Sequence, residues 1–143
     1  FTNVLAENSF TWYIKRRGNL SPVFPEIASS LKDYDAYCID TAYPDDREDK
    51  KVYLTFDAGY ENGNVEKVLD ILKSNDVKGT FFVLPNLVEK NTDLCIRMKQ
   101  EGHIVGNHSV HHQNMSKHLG FEYFKNELLD SGAVSTASYK LKP

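Results

Sequence analysis

The sequence predicts an α/β fold with parallel strands after about residue 50, entered through a looser amino-terminal arm. Three observations predict it. β-branched and aromatic runs at residues 52–56, 80–84 and 103–106 alternate with segments whose apolar residues recur at the helical period. Each run breaks at its carboxyl end into a polar loop. The first two runs, with the helical segment between them, have the size of a βαβ unit.

Taken in order, residues 1–50 are irregular: Trp12-Tyr13 precede basic residues, Pro22 and Pro25 punctuate, and Pro44-Asp45-Asp46 with its charged sequel through Lys51 reads as a linker. Within this arm Phe24, Ile27, Ala28 and Leu31 recur at helical spacing, with Pro25 suited to a first turn. After the first strand, Val65, Val68, Leu69 and Leu72 mark one helical face. A second helix is expected over roughly 91–101, with Asn91 or Thr92 as its cap, and a third, with Phe121, Phe124 and Leu128 on one face, to about 130. Residues 131–143 lose the period and read as an irregular tail, so the divisions are arm and linker 1–50, domain 51–130 and tail 131–143. Three strands separated by helices argue for a parallel sheet or the start of a β/α barrel. Three units are thin for either, and the fold is expected to be unfinished where the chain stops.

At 143 residues, 41% hydrophobic and 26% charged, the composition is that of one soluble globular domain. A net charge of −3, mixed in sign, argues against nucleic acid as a partner, and Lys15-Arg16-Arg17 reads as a solvated patch. No apolar run approaches the roughly 20 residues of a transmembrane helix. Phe1 is not a start methionine, so the missing signal peptide says nothing about location. Cys38 and Cys95 lack the close Cys or His neighbours of a zinc knuckle; they read as buried small hydrophobes or as a disulfide.

In parallel β/α architectures the loops at the strands' carboxyl ends gather into one crevice. The first such loop carries Asp57, Gly59, Tyr60, Glu61 and Asn62, the second Pro85 and Asn86, the third Asn107, His108, Ser109, His111 and His112. Asp57 is therefore expected to share a face with the histidines. His108 and His112, four apart, would lie on one side of a helical turn, a spacing that can hold one metal ion or simply reflect polar loop histidines. His111 would point elsewhere, and His103 and His118 read as structural. Asp57 reads either as a cap of the following turn or, partly desolvated by its apolar strand, as a general base. Gly59 and Gly63 permit close backbone approach to a ligand or relieve turn strain.

Together, TFDAG at 55–59, GTFFV at 79–83 and EGHIVGNHSVHH at 101–112 resemble the polysaccharide deacetylases, the NodB homology domain of carbohydrate esterase family four. YLTFDAGYENG and an arm containing Trp12 are most similar to the delta-lactam-biosynthetic de-N-acetylases, which act on muramic acid in peptidoglycan of the spore cortex. The resemblance implies the amino-terminal portion of a distorted (β/α) barrel and hydrolysis of an N-acetyl amide on a glycan. It implies a divalent metal, zinc or similar, on His108 and His112, Asp57 as the base, and Gly59, Tyr60 and Asn62 along the substrate groove. It also implies a secreted or cell-envelope location.

Two departures accompany it. The family's third ligand, the second acid of TFDDG, is here Ala58, so the metal should be held weakly, although this position is commonly not an acid in the delta-lactam subgroup. The later motifs, an arginine-proline segment, an aspartate-tryptophan segment and a final acid histidine, are absent, and no histidine follows His118. Other readings are a metal-dependent deacetylase of N-acetylglucosamine polymers and a noncatalytic glycan-binding remnant.

Overall fold

The structure is a computed structural model that describes residues 14–18, 20–23, 26–35, 39, 51–115 and 120–129. The chain divides into two units, Phe1–Val52 and Tyr53–Pro143. In the first, β1 (Lys15–Arg17) and β2 (Leu20–Val23) pair antiparallel around Gly18, whose φ of 63° is the left-handed conformation a tight turn needs. The basic run thus forms an exposed strand where irregular chain was expected. The helical spacing is realised as a 3-10 helix, Glu26–Tyr34. Trp12, Phe24, Pro25, Cys38, the 44–46 linker, His118 and the 131–143 tail lie outside the described residues.

The second unit holds a parallel three-stranded sheet in the order β3 (Thr55–Ala58), β4 (Thr80–Val83), β5 (Ile104–Asn107). Helices α1 (Val65–Ser74), α2 (Pro85–Lys90), α3 (Thr92–Gln100) and α4 (Phe121–Leu129) complete it. The register sets Asp57 beside Phe82 and Phe82 beside Gly106, then Ala58 beside Val83 and Val83 beside Asn107. The α/β reading holds in kind, with shifted edges. The apolar run from Val52 is strand only from Thr55, since Val52 and Tyr53 are exposed, although the Leu54 carbonyl already accepts Thr80 N–H at 2.9 Å. Pro85 and Asn86, expected in a loop, open α2, because a proline at the first turn forfeits no helical hydrogen bond.

The core lies between the sheet and α1–α3: Leu69 and Leu72, Phe81 and Val83, Leu87 and Val88, Leu94, Cys95 and Met98, with Ala58. Cys95 is a free thiol, not a disulfide partner, and burial with the nearby Asp93 charge pushes its pKa up to about 11. At the far end from the loops, Glu101 accepts from Arg97 Nε at 2.9 Å and pairs with Lys73 at 3.1 Å, tying α3 to α1. The Arg97 hydrogen bond, helped by Lys73, outweighs desolvation and holds the Glu101 carboxyl below its ordinary value. His103 is buried edge-on to Phe81; its Nδ1 accepts Gly79 N–H at 3.1 Å, and burial lowers its pKa. The structural role expected of His103 is therefore concrete.

Helix α4 departs from expectation. Phe121, Phe124 and Leu128, the expected apolar face, are exposed among the described residues, and the buried side chain of α4 is Glu127.

Candidate active site

Alternation along the strands decides what faces the site. Phe56, Ala58, Phe81 and Val83 pack toward α1–α3, which leaves Asp57, Phe82 and Gly106 on the other face. Asp57 is consequently 66% exposed, which corrects the expectation of a desolvated carboxylate. The apolar residues on either side of it point the opposite way, so an apolar strand says nothing about the acid's own surroundings. Gly106 lets the Phe82 ring lie across the sheet: a Cβ there would stand 2.8 Å from Phe82 Cδ1. The Phe82 ring in turn flanks His108, with centroids 6.4 Å apart.

The histidine loop is not the helical turn expected from the four-residue spacing. Ser109 and His112 have φ of 67° and 53°, left-handed conformations that cost a non-glycine residue about 1–2 kcal/mol each. Local bonds hold them there. His108 N–H continues the β4–β5 ladder to the Val83 carbonyl at 3.1 Å, Ser109 N–H reaches Asn107 Oδ1 at 2.7 Å, and the Ser109 hydroxyl accepts His112 N–H at 3.1 Å. This double reversal sets the His108 and His112 rings 4.6 Å apart. Asp57 Oδ2 stands 3.8 Å from His108 Nε2, across the intervening strand β4.

Of the singled-out residues, Asp57 and His112 are therefore each brought beside His108. Gly59, Tyr60 and Asn62 stay in the loop after β3: the Gly59 carbonyl accepts Asn86 Nδ2 at 3.0 Å, while Tyr60 and Asn62 are exposed and no hydrogen bond or ring contact among the described residues joins them to the histidines. His111 turns away, toward Glu127. Sequence reasoning missed Glu127, which is 2% exposed. Its Oε2 accepts Val110 N–H at 3.2 Å and His111 N–H at 2.9 Å, and its Oε1 meets His111 Nδ1. Desolvation pushes the Glu127 carboxyl up, but these bonds together outweigh it and hold the group below its ordinary value. The available signal was an acid three residues after Phe124, on the stripe expected to face inward.

A family model described as polysaccharide deacetylase matches residues 45–136, well over half of the chain. The chain belongs to the polysaccharide deacetylase family. Among the relatives of this chain is the peptidoglycan-N-acetylmuramic acid deacetylase PdaA of Bacillus subtilis, 44% identical over 107 residues, which are 73% of this chain and 39% of the relative. A peptidoglycan-N-acetylglucosamine deacetylase of Bacillus cereus is 40% identical over 84 residues, 59% of this chain and 30% of that protein. The solved structure of Bacillus subtilis PdaA, a family 4 carbohydrate esterase, superposes with a TM-score of 0.72 at 37% identity, covering 93% of this chain and 54% of that one. The chain thus spans about half, or less, of the length of these relatives.

Enzymes of this family are generally metal-dependent. Among the described residues no group of three His, Cys, Asp or Glu side chains is gathered for an ion. His108 and His112, with rings 4.6 Å apart, supply two imidazoles, one donor short of the three protein ligands usual at a catalytic zinc. Ala58 adds no donor, and its side chain is packed in the core.

Proposed function

We propose that this chain carries the amino-terminal part of a peptidoglycan N-deacetylase domain that hydrolyses the N-acetyl amide of muramic acid, as in delta-lactam formation in the spore cortex. The observation that carries the reading is the meeting of Asp57, His108 and His112 at the carboxyl ends of β3 and β5, on the residues of the two deacetylase motifs. The PdaA relative, named for N-acetylmuramic acid, supports the choice of sugar. On this reading residues 51–130 are the domain portion, 1–50 its arm and linker and 131–143 a tail, and the three parallel strands open a distorted (β/α) barrel. Peptidoglycan lies outside the membrane, which puts the protein in the envelope or secreted. Among the described residues no helix is long and apolar enough to cross a membrane.

In the proposed reaction the Asp57 carboxylate takes a proton from the water that attacks the acetyl carbon. The C–N bond then breaks as the proton taken up by Asp57 passes, directly or through water, to the amine nitrogen, and acetate and a free amino sugar leave. His108 and His112 would hold a divalent ion, which would supply a positive charge to polarise the acetyl carbonyl. With two imidazole ligands among the described residues and Ala58 in the third place, the ion would be weakly held. Phe82 and Ser109 keep His108 and His112 oriented, and the exposed ring of Tyr60, with Gly59 and Asn62, offers the sugar a contact surface.

The test is acetate release from peptidoglycan with Zn²⁺ supplied, with and without amidase removal of the stem peptides. Asp57→Asn should lower the rate by roughly 10²–10⁴-fold with an unchanged thermal melt, as expected of an exposed side chain. Release from N-acetylglucosamine oligomers alone would favour that substrate, as the Bacillus cereus relative does by name. No release from either substrate would sink the enzymatic reading in favour of glycan binding alone.

A further inference from the structure

The histidine loop contains two residues in left-handed conformation, and its own bonds, through Asn107 and Ser109, hold only its ends. Its middle, Val110 and His111, has backbone N–H groups with no ladder partner, and these are the groups that α4 reaches. We propose that Glu127 is a positioning residue for the metal ligands: its buried carboxylate accepts both of these N–H groups and the His111 ring, and so fixes the turn that brings His108 and His112 together. The inference rests on the proposed deacetylase reading for what the two histidines hold.

Three features support it. A carboxylate is removed from water only where its oxygens are bonded, and Glu127 takes two backbone N–H groups and the His111 ring from the loop, with Tyr123 of its own helix beside it. Asn107 Nδ2 also donates to the Leu128 carbonyl at 2.8 Å, so a second bond from the next residue of α4 reaches the base of the same loop. The His111 ring is drawn to α4 and thereby kept from competing with its neighbour His112 for an ion. Groups that orient metal ligands from behind typically change affinity by roughly 10–100-fold when removed.

The experiment uses the full chain and Zn²⁺ alone, titrated calorimetrically, beside backbone amide exchange of residues 107–112. Glu127→Ala should weaken Zn²⁺ binding by roughly 10–100-fold and speed exchange at Val110 and His111 by roughly tenfold or more, the scale of a hydrogen bond to a charged group. Glu127→Gln keeps one oxygen for the two N–H groups and should restore much of both. Met98→Ala, which destabilises the core from α3, should leave Zn²⁺ affinity within about threefold, so general loss of stability is separated from positioning. Unchanged exchange at Val110 and His111 in Glu127→Ala, or Zn²⁺ affinity within threefold of the parent, overturns the proposal while leaving the deacetylase reading intact. If the parent binds Zn²⁺ no better than His108→Ala, the metal reading falls instead; accelerated exchange then still upholds Glu127 as the anchor of the loop, and unchanged exchange refutes it.

Discussion

Gly106→Ala tests how tightly the sheet face is coupled to the histidines. The new Cβ would meet Phe82 Cδ1 at 2.8 Å and Cε1 at 2.9 Å. Ordinary carbon contacts lie at about 3.5–4.0 Å, so the ring must retreat by roughly 0.7–1.2 Å. Overpacking of this kind costs about 1–3 kcal/mol, and the loss of glycine freedom in the unfolded chain returns roughly 0.4–1 kcal/mol. A net destabilisation of roughly 0–2.6 kcal/mol, centred on about 1.3 kcal/mol, follows, read as a lower urea midpoint at constant slope. Because the Phe82 ring flanks His108, the retreat also disturbs the loop, and a displacement near 1 Å can cost roughly 100-fold in rate. Phe82→Ala in the Gly106→Ala background should recover part of the Zn²⁺ affinity, since the clash is gone. A single variant with parental urea midpoint and parental acetate release would refute the reasoning.

Other expectations concern pH and the thiol. His103, with its folded pKa below the ordinary 6.5, binds a proton more readily when unfolded, so its contribution is complete above pH 6.5 and lost as pH falls from there. Glu101 and Glu127, both below the ordinary 4.5, give stability that is present above that value and lost as pH falls through their folded pKa values. Urea midpoints between pH 8 and 3 should therefore decline in two limbs, and His103→Asn should flatten the upper one; a flat profile from pH 7 to 5 in the parent would contradict the burial argument. Cys95, buried and with a pKa of about 11, should react with a thiol reagent at pH 8 only at the rate of unfolding, so labelling should accelerate with urea. Immediate labelling of Cys95 in native protein would show that α3 is not packed as described.

The parallel sheet was legible because its strands and helices carry different apolar periods, and Leu69, Leu72, Phe81 and Val83 are core for the reason their spacing suggests. The meeting of Asp57 with the histidines was legible too, since parallel strands must present their carboxyl ends together. What escaped depends on direction rather than position. Asp57 sits in an apolar strand yet faces away from its apolar neighbours, and the imidazoles meet through two left-handed residues that the four-residue spacing does not specify. Glu127 escaped because its loop partners, two backbone N–H groups and the His111 ring, lie 16 or 17 residues away; its place on the stripe of α4 expected to face inward hints at burial but does not name them. Pro85 was read as punctuation when it opens a helix; the residue suits both roles equally.

Ala58 gives the candidate site an unexpected stiffness toward redesign. Its side chain belongs to the packed interior, beside Val83 in the register, while its neighbour Asp57 looks outward. A carboxylate introduced there to complete the coordination sphere would first have to displace apolar volume, so a tighter ion would come only with a remodelled interior. Ligand number and core volume are, at this position, one variable.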